Sequence, residues 1–408
     1  MEISRAQDLP ASALSSDAAA LLAQSGMAPL HLAGRALLPV VQGGMGVGIS
    51  AHRLAGTVAA CGAVGTIASI DLRRHHPDLL TPEHRANRAT VERANLVALE
   101  REIRAARALA GGQGLIAVNV MRAVSQYADL VRHACASGAD AIVMGAGLPL
   151  DLPDLAASWP HVALIPILSD ARGIALVVRK WARKGRLPDA IVIEHPRLAG
   201  GHLGAAKLED LDDPRFDFER VLPEALAFLR AEGIGTERIP LIVAGGINSR
   251  ARILELLAMG ASAVQLGTPF AVTTEGDADP RFKTVLADAR PEDLVEFVSV
   301  AGLPARAVRT PWLENYLRYL PKLQAVAHKK PRCTLKFDCL AQCGLRDGIA
   351  KIGQFCIDMQ LAAALRGDVS KGLFFRGAAS LPFGREIRSV RELLTFLLTG
   401  GATPAVAV

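Results

Sequence analysis

The sequence predicts an α/β protein: a (β/α)8 TIM barrel followed by a helical, cysteine-containing C-terminal extension. Short runs rich in Val, Ile and Leu alternate with helical segments over residues 36–270. Such runs are apolar on both faces, which is typical of parallel strands covered by helices. The last two runs, within residues 239–270, end at Gly245 and Gly246 and at Gly267 and Thr268. Half of the chain is hydrophobic and only 4% is aromatic, as expected for buried parallel strands.

The elements follow in a regular order. Residues 1–30 are expected to form a polar lead-in and a short helix that ends at Gly26. Ser50 is the predicted N-cap of the helix after the first strand, and Ser169 or Asp170 that of the helix after the fifth. Two further helices are predicted at about 90–110 and 126–137, and helices are predicted throughout 277–325. The eight predicted strands are 36–41, 63–69, 114–121, 140–145, 161–168, 187–196 and two within 239–270.

The domain organisation follows from length and composition. A (β/α)8 barrel uses about 250–300 residues as one domain, so residues 31–325 are assigned to the barrel. Residues 326–408, richer in Cys, Phe and Gly, are assigned to an extension or cap. No apolar run reaches the roughly 18 residues of a membrane span, and no signal peptide is evident, so we expect a cytoplasmic protein without a membrane partner. The net charge of +6 is dispersed, which argues against nucleic-acid binding.

The glycines at the ends of the last two strands predict a phosphate site. Glycine there removes the side chain and lets backbone N–H groups approach an anion. In (β/α)8 barrels the loops after the last two strands are the recurrent phosphate site. The alternative is that these glycines only form tight turns between strand and helix.

Two other features point to a ligand at the same end of the barrel. The first strand runs into Gly43, Gly44 and Met45, a glycine-rich segment without dinucleotide-binding spacing that suits backbone passing close to a flat ligand. Asn119 is the one polar side chain inside the third strand. By contrast, His75 and His76 lie in a charged insertion without a ligand pattern and are expected on a solvated face.

These strand-end motifs, taken in order, resemble the nitronate monooxygenase (2-nitropropane dioxygenase) family and the related flavin-dependent enoyl-acyl-carrier-protein reductases. The resemblance covers roughly residues 36–275, and it is carried by PVVQGGMG, AVNVM, GADAIVMGAGLP, LAGGHLGA, PLIVAGGI and AVQLGTPF. It implies a TIM barrel with FMN at its C-terminal mouth.

The resemblance also implies roles for individual residues. Gly245, Gly246, Gly267 and Thr268 would hold the phosphate; Gly43, Gly44 and Met45 would run along the flavin, and Asn119 would hydrogen-bond its polar edge. His202 would be the active-site histidine, since neutral imidazole is a suitable base for a nitroalkane. Gly201, with its neighbour, would bring that ring over the flavin. The alternative is that His202 is a loop residue without a catalytic role, in contact with solvent.

The chain departs from the family at one position. Relatives commonly carry Gln or Glu seven residues before the histidine, whereas here His195 has that offset and Glu194 lies one residue earlier. Either a residue is inserted, or the group facing the flavin has changed to imidazole. The departure bears on substrate chemistry more than on FMN binding.

Four cysteines cluster in the extension. Cys333, Cys339, Cys343 and Cys356 follow a C-x5-C-x3-C-x12-C spacing. Four thiolates can hold an iron–sulfur cluster or a zinc ion, and zinc knuckles normally come as paired C-x2-4-C motifs. The irregular spacing favours iron–sulfur over zinc, and four reduced cysteines without a metal remain the third alternative.

The leading hypothesis is therefore an FMN-dependent enzyme that oxidises nitronates or nitroalkanes with O2, with His202 as base. The alternative is an NAD(P)H-dependent flavin reductase of enoyl thioesters or quinones, with an iron–sulfur centre. A flavin-free phosphate-binding barrel and a synthase of the phosphosugar type fit the glycines of the last two strands, but they explain QGGMG and AGGH less well. The physiological substrate and the oligomeric state do not follow from the sequence.

Overall fold

A computed structural model describes residues 14–85, 87–329, 333 and 338–401. The first part of the predicted lead-in, residues 1–13, lies outside them. The strands are β1 (Leu30–Leu32), β2 (Arg35–Leu37), β3 (Val40–Gln42), β4 (Val64–Ala68), β5 (Leu115–Met121), β6 (Ala141–Gly145), β7 (Ala163–Leu168), β8 (Ile191–Glu194), β9 (Gly201–His202), β10 (Leu241–Ala244), β11 (Ala263–Leu266), β12 (Leu294–Val298) and β13 (Pro304–Val308).

The helices are α1 (Ser16–Ser25), α2 (His52–Ala60), α3 (Arg88–Ala110), α4 (Tyr127–Ala136), α5 (Leu152–Leu155), α6 (Ala171–Ala182), α7 (Phe218–Ala231), α8 (Arg250–Ala258), α9 (Thr268–Ala271), α10 (Pro280–Asp288), α11 (Pro311–Ala325), α12 (Gly344–Asp347), α13 (Ile357–Leu365) and α14 (Val390–Thr399). As predicted, α1 ends at Gly26, which adopts a left-handed conformation, and α6 is capped by Asp170. Because glycine has no Cβ, it takes the helix-ending conformation at little cost.

The predicted barrel is confirmed. The eight parallel strands close in the order β10, β11, β3, β4, β5, β6, β7, β8. Small and branched side chains such as Val41, Ala117, Val192 and Ala263 fill the interior, while the alternate residues pack beneath the helices. This alternation follows from the two-residue period of a strand and directs alternate side chains towards the barrel axis. The carboxyl ends of the strands therefore share one mouth.

The cap of α2 differs from the prediction. Its N-cap residue is Ala51, and the Ser50 hydroxyl instead accepts a hydrogen bond from the Met45 backbone N–H (2.8 Å). The first N–H groups of α2 are bound by the carboxylate of Asp277, which accepts from Ala51 (2.8 Å) and Leu54 (3.1 Å). A carboxylate far along the chain thus replaces the local hydroxyl cap, a substitution that the local sequence does not reveal.

The prediction for the two neighbouring histidines is wrong. Both side chains are partly buried: His75 Nε2 lies 2.8 Å from the Gly48 carbonyl oxygen, and His76 Nε2 lies 2.9 Å from Glu102. Glu102 is itself buried and also accepts from the backbone N–H of His52 at 2.8 Å. The insertion folds onto α2 and α3 instead of forming a solvated surface.

The prediction of helices throughout 277–325 is wrong for the middle of that range. Strands β12 and β13 form an antiparallel hairpin there, and β13 also pairs with β9, with Ala305 opposite His202 and Arg306 opposite Gly201. We call this three-stranded unit the side sheet. It matters for function because it fixes the backbone of His202 from outside the barrel.

The residues after the proposed boundary at 326 return to the barrel. Helix α14 buries Leu393, Leu394, Leu397 and Leu398 in the same core as the barrel helices. Residues 373–380, which we call the strap, pack against β13 and against the segment that follows β11, since Phe375 pairs with Ala307 and the Gly377 N–H donates to Thr268 Oγ1. No helix in the described part of the chain is long and apolar enough to cross a membrane.

Candidate active site

The ends of β10 and β11 form one corner of the mouth. Ala244 pairs with Gln265, so the two glycine-bearing segments that follow lie side by side. Gly245 and Gly246 have φ angles of +109° and +73°, which L side chains rarely adopt, and a Cβ on Gly246 would lie 2.7 Å from Leu198. The structure therefore brings the predicted phosphate residues together in a corner where the absence of a glycine side chain leaves room for Leu198 to pack against the backbone.

The end of β3 passes between two polar side chains. A Cβ on Gly44 would lie 2.3 Å from Asn119 Cβ, and one on Gly43 would lie 3.3 Å from the side chain of Gln265. Met45 Sδ lies 3.6 Å from the Cβ position of Gly267. The glycine-rich segment thus runs between the third and the eighth barrel strands, where its bare backbone suits close approach of a flat ligand.

Three polar residues lie above the apolar interior of the barrel, at its mouth. Asn119, Glu194 and Gln265 each follow an interior residue (Ala117, Val192 and Ala263) by two positions, so they point into the mouth. Sequence reasoning missed Gln265, although its place in the alternation of β11 could have revealed it. Together the three groups can hydrogen-bond the polar edge of a ligand held at the mouth.

The structure separates Glu194 from His195. Glu194 ends β8 on the interior side, and burial raises the pKa of its carboxyl to about 7. His195 Nε2 lies 3.4 Å from Asp217, and its ring packs edge-on against Phe218 with centroids 5.3 Å apart. Of the two explanations for the sequence departure, the structure therefore supports a carboxyl group facing the mouth and not an imidazole.

His202 is held by the side sheet. Its Nε2 lies 3.0 Å from the Ser299 hydroxyl, and its ring lies 5.8 Å from that of Phe375 in the strap. Burial lowers the pKa of His202 to about 4, so the imidazole is neutral at neutral pH. Arg306 on β13 holds the preceding loop, donating to the Ala199 carbonyl oxygen and to Glu296 (2.6 Å). These contacts hold the neutral imidazole of His202 in place, in contrast to the alternative of a loop residue that only contacts solvent.

The strap packs against the corner formed by the ends of β10 and β11. This contact was not predicted from the sequence. The backbone N–H of Gly377 donates to Thr268 Oγ1 (3.0 Å), and that of Ala378 donates to the Leu198 carbonyl (3.1 Å). Arg376, which precedes Gly377, is 4% exposed, and its side chain donates only to backbone carbonyls in the described part of the chain, including that of Leu286 at 2.9 Å. Burial lowers the pKa of Arg376.

The four cysteines of the extension lie near one another. Burial raises the pKa of Cys339, and Asp358 and the other three cysteines raise it further. Burial likewise raises the pKa of Cys356 to about 11. In the part of the chain that the structure describes, no group of three or more His, Cys, Asp or Glu is arranged to hold one metal ion.

The closed parallel barrel, with two glycine-bearing strand ends, three polar groups and a partly buried histidine at its mouth, places this protein in the TIM-barrel class. A family model described as nitronate monooxygenase matches residues 33–400. The chain belongs to the nitronate monooxygenase family, which confirms the resemblance inferred from the sequence.

Individual relatives are distant. A probable nitronate monooxygenase of Staphylococcus saprophyticus is 23% identical over 195 residues, which is 48% of this chain and 51% of the relative. The nitronate monooxygenase of Paraburkholderia phytofirmans is 35% identical over 120 residues, 29% of this chain and 30% of the relative. The chain thus spans about half or less of the length of these curated relatives.

Two solved structures share the fold over most of their length. FabK from Thermotoga maritima superposes with a TM-score of 0.62 at 21% identity, covering 88% of this chain and 91% of that one. A nitroalkane oxidase from Streptomyces ansochromogenes gives a TM-score of 0.59 at 19% identity, covering 93% and 97%. At these identities the likeness establishes the fold.

Proposed function

We propose that this protein is an FMN-dependent oxidoreductase that oxidises nitronates or nitroalkanes with dioxygen. The observation that carries the proposal is the neutral, partly buried His202, held beside a barrel mouth at which the glycine-bearing ends of β10 and β11 lie side by side. Family membership supports it, as does the similarity to proteins named nitronate monooxygenase and nitroalkane oxidase. A cytoplasmic location and the division at residue 326 remain parts of the proposal.

Different site residues bind different parts of FMN. Gly245, Gly246, Gly267 and Thr268 hold the phosphate, aided by the strap. Gly43, Gly44 and Met45 lie along the ring system, with Gly201 in the loop that carries His202. Asn119 hydrogen-bonds the polar edge, joined by Gln265 and Glu194. When bound, the flavin supplies the redox step by exchanging electrons with substrate and dioxygen.

His202 removes the proton next to the nitro group. Ser299 Oγ already accepts from the backbone N–H of Ala301 (3.3 Å), and it can also accept from His202 Nε2–H (3.0 Å). In that tautomer the lone pair is on Nδ1, which is the atom left to act as base. Because burial keeps the ring neutral above a pKa of about 4, the base is available throughout the neutral range. Apolar packing against Phe375 helps to exclude water.

The test compares a nitroalkane with its preformed nitronate. Anaerobic mixing of the FMN-loaded protein with nitroethane nitronate should bleach the flavin, while NADH and NADPH should not. In His202→Asn, turnover of neutral nitroethane should fall by about 10²–10⁴-fold because the general base is lost. Turnover of the preformed nitronate, which needs no base, should fall much less in the same variant. Equal losses for both substrates would contradict the role of His202.

Ser299→Ala tests the tautomer of His202 in the same experiment. It keeps the imidazole but removes the hydroxyl that selects the tautomer. Its activity with nitroethane should lie between those of the wild-type protein and His202→Asn, and flavin content should be equal in all three. If Ser299→Ala matches the wild type at every pH, the tautomer argument is wrong.

A second candidate is an NAD(P)H-dependent reductase of enoyl thioesters or quinones, with an iron–sulfur centre at the four cysteines. One solved structure favours it: the enoyl reductase domain of MlnA from the macrolactin biosynthesis cluster of Bacillus amyloliquefaciens, which superposes with a TM-score of 0.58 at 14% identity. Glu194, with a pKa near 7, would suit proton delivery in that direction. Rapid bleaching by NADH or NADPH and not by nitronate would decide for it.

A further inference from the structure

A hydroxyl and a carboxyl group lie next to each other where β7 and β8 open into the barrel mouth. Ile167 on β7 pairs with Val192 on β8, and both side chains face the barrel interior. Two positions further along each strand, on the same face, come Ser169 and Glu194. The two side chains therefore stand on neighbouring strands and point into the mouth together.

The loop that carries His202 passes beside this pair. Ser169 Oγ donates to the carbonyl oxygen of Gly204 (3.3 Å), which lies two residues after His202 and is exposed. A Cβ on Gly204 would lie 2.7 Å from Ser169 Oγ and 3.7 Å from Glu194 Oε1. Both oxygens are thus close to one point, on the same loop as the proposed base.

The pair accepts hydrogen bonds and offers none. Burial alone raises the pKa of Glu194, and no hydrogen bond or ion pair from the described residues reaches its carboxyl group. Because Ser169 directs its proton to Gly204, its lone pairs are left to accept. Two partly buried acceptors without a donor are unfavourable, and a bound molecule that supplies N–H groups would satisfy them.

The charge of the adjoining loop has the same sign. Residues 197–217, which include His202, contain five Asp or Glu against three Lys or Arg. An excess of carboxylates beside a cleft attracts cations and repels anions. The occupant favoured by both the pair and its surroundings is therefore a cation that donates hydrogen bonds.

We propose that Ser169 and Glu194 bind an ammonium group of the substrate, which is then a nitroalkane with a primary amine at the end opposite its nitro group. This inference rests on the proposed function. An ammonium group has three N–H donors, enough for Glu194 Oε1 and Ser169 Oγ, while the second carboxyl oxygen stays available to the flavin edge. With the ammonium group held there, the nitro carbon can extend towards His202. A nitroalkane that ends in a carboxylate is disfavoured by like charge.

The test uses the FMN-loaded protein with nitropropane, nitropropanol, nitropropylamine and nitropropionate, each with its nitro group on a terminal carbon. At about pH 8, where Glu194 is charged, kcat/KM for the amine should exceed that for nitropropane by roughly 10- to 100-fold. Nitropropanol should lie between them, and nitropropionate should be the poorest substrate.

The variants are compared by the ratio of kcat/KM for the amine to that for nitropropane. Glu194→Gln should remove most of this preference and should improve nitropropionate relative to nitropropane. Ser169→Ala should lower the ratio by about 2- to 10-fold, because one neutral hydrogen bond is lost. Glu209→Gln is the matched control: it removes an exposed charge from the same loop and should leave the ratio unchanged at high salt.

A second measurement needs no turnover. Propylamine and propionate are titrated into the FMN-loaded protein, and binding is followed by the shift in the visible absorbance of the flavin. Propylamine should bind more tightly than propionate, and Glu194→Gln should abolish the difference. If nitropropane is not oxidised but this preference holds, the proposed function is wrong and the ammonium site stands. An amine no better than nitropropane, a preference that survives Glu194→Gln, or equal binding of propylamine and propionate would each overturn the inference.

Discussion

Replacing Gly246 with alanine tests the phosphate corner, and Gly233 provides a matched control. The two glycines have φ angles of +73° and +72°, so alanine at either position suffers the same backbone strain. That strain costs about 1–2 kcal/mol. Nothing lies within 4 Å of a Cβ on Gly233, whereas at Gly246 the new methyl would lie 2.7 Å from Leu198 Cδ1. Both variants should therefore share the loss of stability from backbone strain, whereas only Gly246→Ala should add the contact with Leu198 and disturb the corner.

The expected effect on flavin binding follows from the lost contact. Displacing one backbone N–H from a phosphate removes a charge-assisted hydrogen bond of about 1.5–3 kcal/mol. At 1.4 kcal/mol per tenfold change, this corresponds to a roughly 10- to 100-fold higher Kd for FMN. The assay is titration of the apoprotein with FMN and with riboflavin, which lacks the phosphate, followed by fluorescence. Riboflavin binding should change little. Equal weakening of both ligands, or of FMN in Gly233→Ala as well, would refute the assignment.

Two further predictions concern buried carboxyl groups. Because burial raises the pKa of Glu194 to about 7, kcat/KM should show a limb near that pH, and Glu194→Gln should remove it, whereas the loop variant Glu209→Gln should not. For Glu102, burial acts to raise the pKa, but hydrogen bonds from His52 and His76 outweigh it and lower the pKa from 4.5 to about 2. Its stabilisation is therefore complete above pH 4.5 and is lost as pH falls towards 2, so Glu102→Gln should cost roughly 3 kcal/mol in urea unfolding at pH 7 and progressively less below pH 4.5. A constant difference at all pH values would contradict this account.

The barrel could be predicted from the sequence because its signal is local and repeated. Each strand is an apolar run, and each run is followed by a helix, so the pattern survives errors at any one boundary. The meeting of Gly245 and Gly267 was predictable for the same reason, since they mark the ends of consecutive strands in the chain, while their role in phosphate binding stays a prediction. What failed locally was capping: Asp277, not Ser50, binds the first N–H groups of α2, and no short motif encodes a partner so far away.

The placement of His202 shows why the rest could not be predicted. Its strand is two residues long and exists only because β13 pairs with it, and Ser299, whose hydroxyl lies 3.0 Å from its Nε2, lies 97 positions further along the chain. Neither β12 nor β13 stood out from the helical pattern expected for 277–325. The strap adds a third distant partner, because Phe375 meets the imidazole while Gly377 binds Thr268 at the phosphate corner. One segment therefore contacts both ends of the proposed flavin site, so a change in the strap should affect phosphate binding and proton transfer together, a coupling that motifs read one at a time do not reveal.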